Sequence, residues 1–208
     1  MALFWEKGYQ GASLADLTMA MGINSPSLYA AFHSKANLFH EAVSLYWQTE
    51  GARVWDGIPK SATARDAIDA LLRATATGIT RPGKPRGCLV ILGTNRLGTN
   101  RLGTGRRGGN GRGANRSDED GEMVGEELRR LRVHMLAILR ERLERAAREG
   151  ELPADVDTAA IAAFYSTVHQ GLSLQARDGA TRKMLLEVVA CAMAAWDCLA
   201  SSVVKPAK

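Results

Sequence analysis

The residues best suited to hold a metal or act as nucleophiles are four histidines and three cysteines, and their spacing supports neither role. His33, His40, His134, His169, Cys88, Cys191 and Cys198 include no local pair at metal-ligand spacing. Cys191 and Cys198 stand seven apart, on one face of a helix, which predicts small buried apolar side chains. Ser166 and His169 are one helical turn apart, but no acid completes a triad and no strand-to-helix elbow surrounds the serine. No catalytic residue, metal or cofactor is predicted. Gly103, Gly105 and Gly108 satisfy the dinucleotide-binding spacing G-x-G-x-x-G. That fingerprint needs a helix N-terminus to meet the pyrophosphate, whereas Gly-Asn-Gly-Arg-Gly follows here, so a nucleotide-dependent enzyme is the weaker alternative.

A second set of polar side chains lies between Ser13 and Lys35, in the run SLADLTMAMGINSPSLYAAFHSK. Hydroxyls, one lysine and helix N-termini at this density suit phosphate and base-edge contacts better than catalysis. Two short helices must position them. Ser13 with Asp16 makes an N-terminal capping arrangement, predicting a helix over 14–21 that Gly22 ends in a left-handed cap. Asn24 caps a second helix, 25–32, whose first turn tolerates Pro26. Ser34 caps a third, carrying Leu38, Phe39, Ala42, Val43, Leu45 and Tyr46 at helical spacing. Leu14, Leu17, Ile23, Leu28, Phe32 and Leu38 can share one small core. A helix pair joined by so short a turn can lay its second helix in a DNA major groove.

Gly22, Ile23, Leu28, Tyr29, Phe32, Ser34, Lys35, Leu38 and Phe39 stand in the order G-[VI]-x4-L-Y-x2-F-x-S-K-x2-L-F. This string resembles the DNA-binding domain of the TetR family of transcriptional repressors. The resemblance implies an all-α fold, with an N-terminal helix-turn-helix three-helix domain followed by a larger helical domain for ligand binding and dimerisation. It implies a cytoplasmic repressor that binds a near-palindromic double-stranded DNA operator as a homodimer, pairs through its last two helices, and is released by a small-molecule effector. By motif position, Ser25, Ser27 and Ala30 are candidates for base or groove-wall contact, and Pro26 and Ala30 for thymine methyls. Tyr29 and Lys35, with Ser13 and His33, are candidates for phosphate. The family's first helix is longer and follows a flexible arm, so Met1 is expected to be an internal methionine and the first helix truncated. A defective or heterodimerising relative without operator binding is the alternative.

Charge argues less directly for DNA than its total suggests. The chain carries +5, but residues 94–116 hold six arginines and no acid, which leaves the remainder at −1. Residues 1–46 set Lys7 and Lys35 against Glu6, Asp16 and Glu41. An odd number of widely spaced cysteines suits a reducing compartment. No apolar run is expected to reach the length of a membrane span, and no secretory signal precedes the motif.

The division expected is 1–46 for DNA binding and 47–204 for effector binding and dimerisation, with residues 93–121 a disordered Gly/Arg-rich loop. Met1 to Gly8 is expected to form the end of a helix, stopped at Gly8. The apolar run Gly87 to Gly93 has the character of a strand by itself and of a short helix by the resemblance. Val124, Leu128, Leu131, Met135, Ile138, Leu139 and Leu143 then alternate at helical spacing, with Glu141–Arg145 and Glu144–Arg148 as supporting ion pairs. Asp157 and Thr181 cap two final helices, the last with Leu185, Val189, Ala192, Trp196, Leu199 and Val203 on one face. Met135, Phe164, Tyr165 and His169, beside His134 and Gln170, are candidates for the wall of a ligand pocket, with core packing the competing role.

Overall fold

The computed structural model describes residues 1–94 and 113–201, without the side chains of Arg53 and of residues 113–118. Among the described residues the fold is all-α, with no strand. The helices are α1 (Ala2–Gly11), α2 (Leu14–Met21), α3 (Ser25–Phe32), α4 (Lys35–Tyr46), α5 (Ala52–Trp55), α6 (Ala64–Gly78), α7 (Leu89–Leu92), α8 (Gly113–Arg148), α9 (Thr158–Arg177), α10 (Arg182–Ala194) and α11 (Trp196–Ser201). A π-helical turn, Trp47–Gly51, precedes α5, and a 3-10 turn, Ile58–Lys60, follows it. The described residues form two compact units, one drawn from 1–46 and 88–131, the other from 47–87 and 132–201.

In the first unit the caps expected from sequence shape α2 and α3, and an aromatic cluster forms the centre of the core. Phe39 is fully buried, with the Phe4 and Tyr9 rings edge-on at 5.0 and 5.3 Å. Trp5 meets Tyr46 edge-on at 4.8 Å. Gly8 does not end α1 as expected. It turns the chain at φ 69° and ψ 174°, and one more helical turn follows. That turn carries the Tyr9 amide onto the Gly93 carbonyl, at 2.6 Å. Gly93 has no room for a larger residue, because a Cβ there would lie 2.9 Å from Leu128 and 3.2 Å from Phe39. The strand-like run ahead of Gly93 is helix α7, with Leu89, Val90 and Leu92 buried. Val124 and Leu128 of α8 complete this core.

The expected loop 93–121 lies mostly outside the described residues. Where it re-enters, the chain is already helical from Gly113, and Gly121 is part of α8.

The second unit is built on α6, whose Ile68, Leu71 and Leu72 are buried, packed against α9 and α10. Thr63, Asp157 and Thr181 each accept a backbone N–H as N-caps of α6, α9 and α10. Met135, Leu139, Leu143 and Ala146 add the buried stripe of α8. Three sequence readings are corrected. In place of Glu141–Arg145 and Glu144–Arg148, Glu144 pairs with Arg140 one turn earlier and Arg145 with Glu149 one turn later, while Arg142 pairs with Glu151. Cys191 and Cys198 are exposed, the first on α10 and the second on α11, and only Cys88 is buried. The final helix breaks at Ala195 into α10 and α11, and Val203 lies outside the described residues.

Apolar length also departs from the expectation that no run reaches a membrane span. Residues 182–201 are long and apolar enough, by length and composition, to pass for a membrane-crossing helix, with mean hydropathy 1.6 and 28% burial within the chain.

Candidate nucleic-acid interface

The Ser13 hydroxyl accepts the Asp16 amide at 3.0 Å, and the Asp16 carboxylate accepts the Ser13 amide at 3.2 Å, so both ends of the capping box are made. Lys7 reaches the same carboxylate at 3.1 Å. Hydrogen bonds from Ser13 and then Lys7 hold the Asp16 carboxyl below its usual range. Lys7 is thereby committed to Asp16.

Gly22 closes α2 in the left-handed region at φ 65°, and Asn24 Oδ1 accepts the Ser27 amide at 2.9 Å to open α3. Leu28 is fully buried and Phe32 half-buried, which fixes which side of α3 faces in. Ser25, Pro26, Ser27, Tyr29 and Ala30 are exposed on the other side, as a groove-facing helix requires. Removing the cap should loosen that presentation. Asn24→Ala is expected to cost about 1 kcal/mol of stability, measured by urea unfolding, because the Ser27 amide loses its acceptor.

α3 ends at His33, a non-glycine residue at φ 66°, whose amide donates to Tyr29 O at 2.9 Å. The Ser34 hydroxyl then accepts the Asn37 amide at 3.0 Å and opens α4. Lys35, at the first turn of α4, sets its ammonium 4.4 Å from the centre of the Tyr9 ring. Burial lowers the pKa of this ammonium, and the negative charge of Asp120 acts in the opposite direction. Burial, followed by Asp120, pushes the Tyr9 phenol up to about 12, so the ring beneath the lysine is neutral. A cleft of about 500 Å³ is lined by Tyr9, Gln10, Leu14, Tyr29, His33, Ser34, Lys35 and Asp120.

Three candidates from sequence, Tyr29, His33 and Lys35, therefore meet in one cleft. Ser13, Ser25, Pro26, Ser27 and Ala30 are exposed but do not line it. Sequence reasoning missed Tyr9 and Asp120. Tyr9 is foreshadowed only by its place after Gly8, and Asp120 by no local signal at all.

The pocket candidates of the second unit lie elsewhere. Met135 and Tyr165 are buried, Tyr165 donating from its hydroxyl to Ala192 O at 3.1 Å, while Phe164 is 38% exposed. His134 is exposed, and Gln170 donates to the Ser166 hydroxyl at 3.2 Å. His169 is buried against Trp55, ring centres 5.2 Å apart. A cavity of about 180 Å³ in this unit is instead lined by residues of α5, the following turn and α8, none of them among the four candidates.

Burial lowers the His169 pKa to about 4. The folded state keeps the ring neutral while the unfolded chain takes up a proton below its ordinary pKa near 6.5. Stability fully present above that value is therefore lost as pH falls towards 4, by about 3 kcal/mol at most. Urea midpoints of wild type and His169→Gln at neutral and acidic pH check this. The variant should show the smaller acid-side loss.

A capped helix pair, with the second helix exposed on one side and braced by a third, is the arrangement of helix-turn-helix DNA-binding regulators. The family described as "Bacterial regulatory proteins, tetR family" matches residues 1–42. The TetR family transcriptional regulator CifR, solved as a cysteine mutant complexed with 26bp double-strand operator DNA, is 40% identical. The match covers 94% of this chain and 92% of that one, with a TM-score of 0.78. The HTH-type transcriptional repressor ComR of Escherichia coli strain K12 is 27% identical over 197 residues, 94% of this chain and 84% of the relative. A TetR transcriptional regulator from Chloroflexus aurantiacus, 22% identical, shares the fold with a TM-score of 0.70 over 94% of this chain and 89% of that one. The chain belongs to the TetR family of transcriptional regulators.

Proposed function

We propose that the chain is a repressor that binds a near-palindromic operator as a homodimer and leaves it when a small effector occupies the second unit. The observation that carries the reading is α3, anchored by buried Leu28 and showing Ser25, Ser27, Tyr29 and Ala30 to solvent. Operator-bound CifR and the repressor ComR support it. Ser25 and Ser27 supply hydroxyls to base edges or phosphates, and Pro26 and Ala30 supply apolar contact for thymine methyls. Tyr29, His33 and Lys35 face the sugar-phosphate backbone from the cleft, with Ser13 beside the N-terminus of α2. With so few donors on α3, specificity leans on DNA shape and on two half-sites about 34 Å apart.

Dimerisation is assigned to the last helices. Phe164 and Leu174 of α9, with Met184, Val188 and Cys191 of α10, are exposed, an apolar surface suited to a second copy. Such a partner would also cover the apolar run 182–201, in keeping with a cytoplasmic regulator that needs no membrane. Effector binding shifts operator affinity only through a difference in its affinity for the two conformations.

Selection of operators from random DNA with purified protein tests the reading. Recovery of a palindromic consensus, bound by a dimer, is the expected result; enrichment of no sequence would sink it. The Asp120 charge also competes with phosphate for Lys35. Asp120→Asn should therefore tighten operator binding about threefold at low salt, read by fluorescence anisotropy.

A further inference from the structure

We infer that the second unit holds a binding pocket for a small carboxylic acid with an apolar body, recognised by Arg142 and Arg145 of α8. The inference rests on the proposed effector-responsive reading and gives that effector a chemical class. Arg142 is only 3% exposed. A guanidinium carries five N–H donors, accepts nothing and stays charged. Its Nη2 is engaged, by the Glu151 carboxylate at 2.8 and 3.2 Å and by the Ser61 and Ala62 carbonyls at 3.4 and 3.3 Å. Nε and Nη1 are buried and meet no acceptor among the described residues. Arg145, three residues on, has a buried Nε in the same condition, since its ion pair with Glu149 spans 3.8 Å, beyond hydrogen-bond reach.

Buried donors without acceptors are costly, so what fills this site must bring oxygen atoms that accept. Both arginines line the 180 Å³ cavity, as does Arg148. The rest of the lining narrows the class. Trp55, Pro59 and Ile138 offer ring and alkyl surface, which suits an apolar body. Asp56 and Glu141 also line the cavity, and Glu151 and Glu149 already pair with Arg142 and Arg145, so the site has no excess of cations for a polyphosphate, and a single carboxylate held by the unengaged N–H donors is the anion that suits it. A cavity of about 150 Å³ holds a benzene ring, so this one has room for a ring or a short alkyl chain. The forks of Arg142 are already occupied through Nη2, so carboxylate oxygens would each accept a single charge-assisted hydrogen bond, from Arg142 and from Arg145.

The test uses the full chain, with benzoate, hexanoate, the neutral isostere benzamide, and sulfate, followed by calorimetric titration and thermal unfolding. Benzoate or hexanoate should bind and raise the unfolding midpoint, with benzamide and sulfate each at least about tenfold weaker than the better acid. Arg142 substitutions endanger the fold by stranding Glu151, so Arg145→Met serves as the probe of charge. It should weaken the acid about tenfold and leave benzamide unchanged. Ile138→Trp, which fills the cavity, should abolish both. Equal binding of benzoate and benzamide, sulfate binding as tight as the acids, or no binding of either acid up to about 10 mM would overturn the assignment. Operator binding is measured on the same preparation. If it persists while the acids fail, only the pocket falls; if the acids bind and DNA does not, the pocket stands and the repressor reading falls.

Discussion

Operator affinity of Lys35→Ala is expected to drop about tenfold for every DNA sequence tested, with a slope of log K against log salt shallower by about one per protomer. The uniformity follows from the target, because a lysine on phosphate carries no base information. The size follows from scarcity. Residues 1–46 hold two lysines and no arginine, and Lys7 is held by Asp16 at 3.1 Å. Lys35 is then the cation left to that segment, and the Tyr9 ring holds it in place without neutralising it. Lys35→Arg should recover most of the loss, since a guanidinium also stacks on an aromatic face. Unchanged affinity and slope in the alanine variant would remove Lys35 from the interface.

Glu151→Ala should destabilise the protein by about 3 kcal/mol in denaturant unfolding. The loss comes less from the missing attraction than from what remains, a guanidinium 2% exposed at its side chain with no carboxylate. The Ala64 amide, 2.7 Å from Glu151, loses its acceptor as well. Glu151→Gln keeps an acceptor oxygen and should cost less. Burial pushes the Glu151 carboxyl up, but the Ala64 amide and Arg142 together outweigh it and leave it below its usual range. A depressed folded pKa means stability present above the unfolded carboxylate range and lost as pH falls through the folded value. The alanine variant should therefore show a flatter stability profile at acid pH. An unaltered urea midpoint would show that Arg142 is satisfied by other means.

Much of the first unit was legible because its signals are local. Ser13 with Asp16, Gly22, Asn24 and Ser34 each act within three or four residues, and each does in the structure what its type predicts. Thr63, Asp157 and Thr181 cap their helices for the same reason. The illegible features need partners far along the chain. Nothing around Lys35 announces Tyr9 as its platform or Asp120 as its neighbour. Arg142 looks like one more charged residue on an amphipathic helix until the chain turns back at Gly150 and presents Glu151. Cys191 and Cys198 were misjudged because seven-residue spacing neither says whether a side of a helix faces in nor shows the break at Ala195 that puts the two on separate helices.

The bond from the Tyr9 amide to the Gly93 carbonyl also bears on the order in which the molecule can be made. Phe39 and Tyr9 complete their packing only with Gly93 and Leu128, so the helix-turn-helix head draws its core from two stretches separated by forty-one residues of the other unit. As the chain emerges from the ribosome, the first four helices can form locally but must wait, with aromatic surface uncovered, until residue 131 has followed. A fragment cut after Tyr46 would be left permanently at that stage, and would be expected to aggregate rather than to serve as a small independent DNA binder.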